Sequence, residues 1–179
     1  MATGVMLATP WDGQDPTGML MSEKLDGVRA IWTGEEFRSR TGKLFSPPPW
    51  FTAGMPTPAL DGELWMGRGT LHLMIGTIRA SAGDWSRVVY CIFDAPDVPG
   101  GLTTRLRAIP KRLPMHCAVI DQTVCRGSDH LGQAYSEAIA NGGEGLVLRG
   151  ANSLYIPKRS SAYLKVRGVD SPDGPRDFE

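Results

Sequence analysis

The stretch Lys24-Leu25-Asp26-Gly27-Val28-Arg29-Ala30-Ile31-Trp32-Thr33-Gly34-Glu35-Glu36-Phe37-Arg38-Ser39-Arg40 reads as a charged hexapeptide running into a hairpin. Val28, Ala30 and Trp32 alternate onto one face, Thr33-Gly34-Glu35 supplies a turn, and Phe37 to Arg40 returns. The outgoing arm follows Lys24 and contains Arg29, and the returning arm carries Arg38 and Arg40. The reading therefore begins with an antiparallel strand pair bearing cations.

Outward from this hairpin the chain is cut into short segments by 22 glycines and 14 prolines, the pattern of a protein with more strands than long helices. Pro47-Pro48-Pro49 breaks regular structure, and Trp50-Phe51 predicts a short packed helix after it. Ala59 to Trp65 and Arg87 to Phe93 read as strands, the second apolar enough to be central. Leu71 to Ile78 and Thr103 to Leu113 read as helices, the latter interrupted by Pro110. His116 to Val124 predicts one further strand. Ser128 reads as an N-cap, ahead of Leu131, Ala134, Tyr135, Ala138 and Ile139 at helical spacing, and Asn141-Gly142-Gly143 stops that helix. Strands over Gly145–Arg149 and Tyr163–Arg167 follow. Without a regular βαβ rhythm, the expected class is α+β.

Bulk properties exclude several functions. A chain of 179 residues is about one domain. Its 19 Lys+Arg balance 19 Asp+Glu, so no global field draws in a polyanion, and nucleic-acid binding must come from local cations. Cys91, Cys117 and Cys125 form neither a C-x-x-C pair nor a metal spacing, which fits a reduced compartment. The longest apolar run, Val88 to Phe93, is far short of the ~20 residues of a membrane span. The N-terminus lacks the basic and apolar regions of an export leader, so the expectation is a cytoplasmic protein without a membrane partner.

Four later segments carry chemistry. Asp61-Gly62-Glu63-Leu64-Trp65 puts Asp61, Glu63 and Trp65 on one side of a strand. Glu144-Gly145-Leu146-Val147-Leu148-Arg149 opens a strand with a carboxylate just after a helix-ending glycine pair. Phe37-Arg38-Ser39-Arg40-Thr41-Gly42 closes the hairpin with two arginines. In Tyr163-Leu164-Lys165-Val166-Arg167, the two cations share one face while Leu164 and Val166 face the core. Like charges so placed repel unless an anion lies between them, and that arrangement suits a phosphate.

Taken in order, K-L-D-G-V-R, S-R-T-G, D-G-E-L, Phe93-Asp94, E-G-L-V-L-R and L-K-V-R resemble the nucleotidyltransferase motifs of ATP-dependent DNA ligases, especially small bacterial and phage enzymes. The resemblance spans about Pro10 to Arg167. It implies an ATP-grasp-like nucleotidyltransferase (adenylation) domain over residues 1–167, two antiparallel sheets flanking a nucleotide cleft, and a short tail over 168–179. It further implies ATP, with Mg²⁺ or Mn²⁺, and nicked or broken duplex DNA as partner. Lys24 falls where the family has its nucleophile, which takes AMP from ATP. A free lysine is mostly protonated at neutral pH and cannot attack, so nearby cations and a metal suit that role. Ser22 and Glu23 are implied beside the base, Glu63 on the ribose, Phe93 against adenine, and Lys165 and Arg167 on the phosphates. Arg167 stands where lysine is usual, a fork in place of a point charge. Arg29 and Arg40 are implied on the nucleotide and the nick 5′-phosphate, and Lys158 and Arg159, just before the phosphate strand, read as DNA contacts because they flank the site. Glu144, Glu63 and Asp26 are the implied metal carboxylates. Asp26 and Asp61 read equally as turn or metal residues.

Other features have blander readings. The five tryptophans read as packing, and His72, His116 and His130 as bystanders. Arg105, Arg107, Lys111 and Arg112 read as a basic helix face, solvated by default and otherwise touching DNA backbone. Gly67-Arg68-Gly69 resembles a phosphate loop only weakly. The family continues into an OB-fold domain; with twelve residues after Arg167, the expectation is a monomer without one, weak in self-adenylation and salt-sensitive on DNA unless an accessory protein replaces it. The rival expectations are an RNA ligase using the same lysine chemistry and a non-catalytic nick- or end-binding module.

Overall fold

In chain order the elements are β1 (Leu7–Pro10), β2 (Leu20–Glu23), β3 (Val28–Trp32), β4 (Phe37–Ser39), α1 (Pro49–Thr52), β5 (Leu60–Trp65), α2 (Leu71–Arg79), β6 (Val89–Asp94), α3 (Leu102–Ala108), β7 (Cys117–Val119), β8 (Thr123–Val124), α4 (Ser128–Ala140), β9 (Leu146–Arg149) and β10 (Arg159–Val166). The computed structural model describes residues 4–80 and 82–168. Contacts divide these into two units, Gly4 with Asp26–Ile120 and Val5–Leu25 with residues 121–168. Of the expected tail, only Gly168 lies within the described residues.

The first unit is built on a five-stranded sheet in the order β4-β3-β5-β6-β7. The expected hairpin is its edge, with Ala30 opposite Ser39 and Trp32 opposite Phe37. Ala30, Trp32, Phe37, Leu60, Leu64, Tyr90 and Ile92 pack with Phe51 of α1 and Met74 of α2 into one core. Trp32, Phe37 and Phe51 meet as tilted rings 5.0 and 5.7 Å apart, geometry that favours aromatic contact beyond burial alone. The Tyr90 hydroxyl donates into the Ala30 and Leu60 carbonyl region, at 3.1 and 2.8 Å. Full burial, then the nearby Asp61 charge, pushes its ionisation well above the ordinary tyrosine value. Trp85 is buried in this core, whereas Trp50 is 49% exposed, so packing accounts for only part of that ring.

The second unit carries the sheet β1-β10-β9-β2-β8. β9 is buried on both faces: Leu146 and Leu148 pack with Leu131 of α4, while Val147 packs with Met6 and Tyr163 on the other side. A short apolar run between two layers is what a central strand requires. α4 ends in a Schellman arrangement, with the Gly143 amide on the Ala138 carbonyl at 2.8 Å and Gly142 on Ile139 at 2.9 Å. Gly142 supplies the left-handed residue, φ 77°.

Several expectations are corrected. The sheets are not wholly antiparallel: β1 runs parallel to β10, and β6 parallel to β7, at one edge of each sheet. The strand expected over His116–Val124 is two strands. β7 pairs with β6 in the first unit, and β8 with β2 in the second. Pairing with β6 ends where the Ile120 amide reaches the Ile92 carbonyl at 2.8 Å. Ser128 is the first helical residue and Gly127 the cap, with no side-chain capping bond. α3 stops at Ala108, before Pro110. Arg105 is not on a solvated face: it is fully buried against Asp94, with Nε to Oδ1 at 2.6 Å and an Nη2 contact at 3.1 Å. Its Nη1 also donates to the Gly100 carbonyl at 2.8 Å, so α3 is riveted to the end of β6.

Candidate functional site

In the second unit, β2 ends at Glu23 and the next amide, that of Lys24, donates to the Gly145 carbonyl at 2.9 Å. This closeness depends on residue 145 being glycine. Its φ is +146°, and a Cβ there would run into the Val166 carbonyl oxygen of β10. The turn leaving α4 therefore delivers Glu144 between the end of β2 and the end of β10. Lys24 Nζ donates to Glu144 Oε2 at 2.6 Å. The Arg167 guanidinium pairs with the other oxygen of the same carboxylate.

One anion thus holds two cations, each oxygen taken by one. The side chains of Lys24, Glu144 and Arg167 are 20%, 23% and 34% exposed, so the cluster is open to an incoming ligand. Lys24 and Arg167 would repel each other without a shared counter-charge, and a phosphate carrying more charge than a carboxylate competes for that place. Lys165 sits opposite Val147, and Ser22 sits opposite the same residue from the other side. Ser22, Val147 and Lys165 therefore form one cross-strand row on one face. Leu164 and Val166 are buried, as their alternation with the two cations requires. Lys158 and Arg159 lie at the opposite end of β10, both exposed, and Arg159 Nη1 donates to the Ala8 carbonyl at 2.8 Å.

In the first unit, Arg29 on β3 forms a two-pronged ion pair with buried Asp61 on β5, Nε to Oδ1 at 2.7 Å and Nη2 to Oδ2 at 2.5 Å. The same guanidinium lies over the Phe93 ring of β6, 4.8 Å from its centroid. Glu63 stands opposite Arg29 in register. Phe93 and Glu63 are each half-buried, while Arg40 lies exposed in the turn after β4. Arg29 is thus engaged by Asp61, a partner the sequence reading left between turn and metal duties. Asp61 and Asp94 oppose each other across β5 and β6, both fully buried, and each has its own arginine.

Among the described residues, no group of three or more His, Cys, Asp or Glu side chains is placed to hold a metal ion. Glu144, in the second unit, and Glu63 and Asp26, in the first, form no joint cage within either unit. Burial lowers the ionisation of His116, despite a 2.8 Å bond from its Nε2 to the Phe51 carbonyl. Burial also pushes the Cys117 thiol up to about 12, which leaves it inert at neutral pH. No helix among the described residues is long and apolar enough to cross a membrane.

No family model matches the chain. A DNA ligase from Haemophilus influenzae is 35% identical over 168 residues, which are 91% of this chain and 63% of that relative. The chain thus spans less than two thirds of that protein's length. A structure from work on Lig E DNA ligases, described as binding DNA with a minimal scaffold, superposes with a TM-score of 0.85 at 30% identity, over 92% of this chain and 68% of that one. The chlorella virus DNA ligase-adenylate superposes with a TM-score of 0.76 over 93% of this chain and 68% of that chain. At 19% identity, that second likeness concerns the fold alone. A mixed α+β chain with two sheets, six motifs in order and relatives at this level of identity belongs to the DNA ligase family.

Proposed function

We propose that this chain is an ATP-dependent DNA ligase or the catalytic core of one, with Lys24 the residue that takes AMP from ATP and passes it to a nick 5′-phosphate. The observation that carries the reading is Glu144 between Lys24 and Arg167, a salt-bridged trio that an arriving triphosphate can reorganise. While Lys24 Nζ donates to Glu144, its nitrogen is not free to attack. When phosphate oxygens take up Arg167 and Lys165, Glu144 is released from one cation and can accept the Lys24 proton. The neutral amine then attacks the α-phosphorus, a phosphorus–nitrogen bond forms, the bond to the bridging oxygen breaks, and pyrophosphate leaves. In the second step the nick 5′-phosphate oxygen attacks the same phosphorus and the lysine is regenerated. In the third, a 3′-hydroxyl displaces AMP.

Phe93 is the surface for adenine, its ring steadied on one side by Arg29, and Glu63 is the acceptor for the ribose hydroxyl. Ser22 and Glu23, immediately before the nucleophile, line the base. Arg40, Lys158 and Arg159, all exposed, are assigned to DNA phosphates, and Arg29 shares that duty once Asp61 yields part of its hold. Mg²⁺ takes one or two carboxylates plus substrate phosphates, and Glu144, Glu63 and Asp26 are the carboxylates proposed to hold it. It would neutralise charge on the phosphates.

Intact-mass spectrometry after incubation with ATP and Mg²⁺ tests the reading. One AMP adduct is expected on the native chain and none on Lys24→Ala. An adduct persisting in Lys24→Ala moves the nucleophile elsewhere.

A further inference from the structure

In the first unit, the outer side of α1 carries a patch that the nucleotide chemistry does not use. Side chains alternate between the two faces of a sheet. Ala30, Leu64, Tyr90 and Ile92 point to the face on which Phe51 of α1 packs. Their strand neighbours Arg29, Glu63 and Phe93 therefore lie on the other face. Whatever meets the outside of α1 approaches the sheet from behind those three residues. The patch itself joins α1 to the turn before β7, which the Cys117 amide closes on the Pro114 carbonyl at 2.9 Å. Within that turn His116 points inward, its Nε2 2.8 Å from the Phe51 carbonyl oxygen and its ring edge-on to Trp50 at 5.7 Å. Met115 points outward and is fully exposed, at 104%, beside the half-exposed Trp50. His116 thus fixes an indole and a thioether on one surface. Tryptophan and methionine are the side chains enriched where proteins meet, and methionine adapts to irregular partners.

Charge indicates the occupant. Residues 37–60 and 98–120, which supply both halves of the patch, hold seven Lys and Arg and no Asp or Glu, in a chain whose formal net charge is zero. Arg105 is spent on Asp94, whereas Lys111 and Arg112, shortly before Met115, are exposed. Asp84, beside the Trp85 ring that packs on Phe51 at 4.8 Å, has its carboxylate on the Ser86 amide at 2.9 Å and is followed by exposed Arg87. We propose that α1 and the Met115 turn form a docking surface for an acidic segment of a partner protein. One apolar side chain of that segment rests on Trp50 and Met115, and its carboxylates meet Lys111 and Arg112. Two observations favour a protein segment over DNA. The surface lies on the face opposite Arg29, Glu63 and Phe93, and its centre is apolar where a phosphate backbone needs a row of cations. The inference goes beyond the ligase reading and stands independently of it.

The test titrates the chain with a panel of short synthetic peptides, rich in Asp and Glu and each bearing one Phe, Trp, Leu or Met. The same panel with Asn and Gln in place of the acids serves as its counterpart. Nuclear magnetic resonance follows the Trp50 indole and Met115 methyl signals. At least one acidic peptide is expected to shift both signals and to bind about tenfold more tightly than its Asn/Gln counterpart, with affinity falling as salt is added. Trp50→Ala and Lys111→Glu/Arg112→Glu are each expected to weaken that binding about tenfold. Met115→Asp, at a fully exposed position, is expected to do the same and decides the matter if Trp50→Ala unfolds. Absence of a shift with every peptide up to millimolar concentration overturns the proposal. A nicked duplex that shifts the same two signals, and loses affinity in Lys111→Glu/Arg112→Glu, overturns it as well and marks the patch as a DNA contact. Adenylate formation with ATP is expected to be equal in the native chain and a folded Trp50→Ala; its loss in the variant alone would assign the patch to the catalytic machinery and overturn the proposal.

Discussion

Glu144 holds a lysine and an arginine at once, so its loss affects two charges. Glu144→Gln keeps the shape and removes the shared charge. On the proposed reading it lowers the rate of adenylate formation at least tenfold while the thermal midpoint stays within a few degrees, because the trio is partly exposed. Gly145→Ala reports on the same place in the opposite way. A side chain at φ +146°, against the Val166 carbonyl, should lower stability by about 2 kcal/mol or more and be seen in thermal unfolding. Alternation alone puts Lys165 and Arg167 on one face, a local rule, whereas Lys24 and Glu144 stand out only through the resemblance of their motifs to a known family. The engagement of Arg29 by Asp61 is different. It depends on the register of β3 against β5, which pairs Ile31 with Asp61 and Arg29 with Glu63, and no local pattern encodes that register.

Among the elements, α3 shows how tertiary contact overrides a surface reading. Its arginines look solvated because Arg105 has no acidic neighbour one helical turn away, and Asp94 lies eleven residues earlier on β6. Asp94→Ala leaves a guanidinium buried without its counter-ion and should cost about 3–5 kcal/mol in denaturant unfolding. α1 and the residue before β7 meet at His116, whose ring stacks on Phe51 at 4.2 Å and meets Trp50 edge-on at 5.7 Å. Its proton affinity is lowered in the fold, so as pH drops below about 6.5 the unfolded chain takes up the proton first. Stability at this site is complete above that value and falls on acidification. The thermal midpoint should drop between pH 7 and pH 5, and His116→Gln should flatten that slope. The hairpin, α4 with its glycine stop, β9 and the second half of β10 are legible from periodicity and turn residues, whereas β10 begins at Arg159, four residues before the expected Tyr163. The division of residues 116–124 was not, because an extended chain passing from one sheet to another keeps the composition of a single strand. The parallel edges were hidden for a related reason: β1 pairs with a strand some 150 residues later.

At the scale of the whole molecule, the Lys24–Glu144–Arg167 trio is proposed to meet the nucleotide and the exposed Arg40, Lys158 and Arg159 to meet DNA. A net charge of zero means that DNA affinity should depend on a few local contacts and weaken with added salt at a slope set by their number. Sealing of an all-DNA nick should exceed sealing of a nick with ribonucleotides on both sides; the reverse preference would favour the RNA ligase alternative. The most direct test of the central claim is peptide mapping by mass spectrometry of the chain after exposure to ATP and Mg²⁺. One AMP is expected, joined by an acid-labile bond to the peptide containing Lys24 and absent from Lys24→Ala. An AMP on any other residue, or none on a folded chain that also fails to seal a pre-adenylated nick, would contradict it.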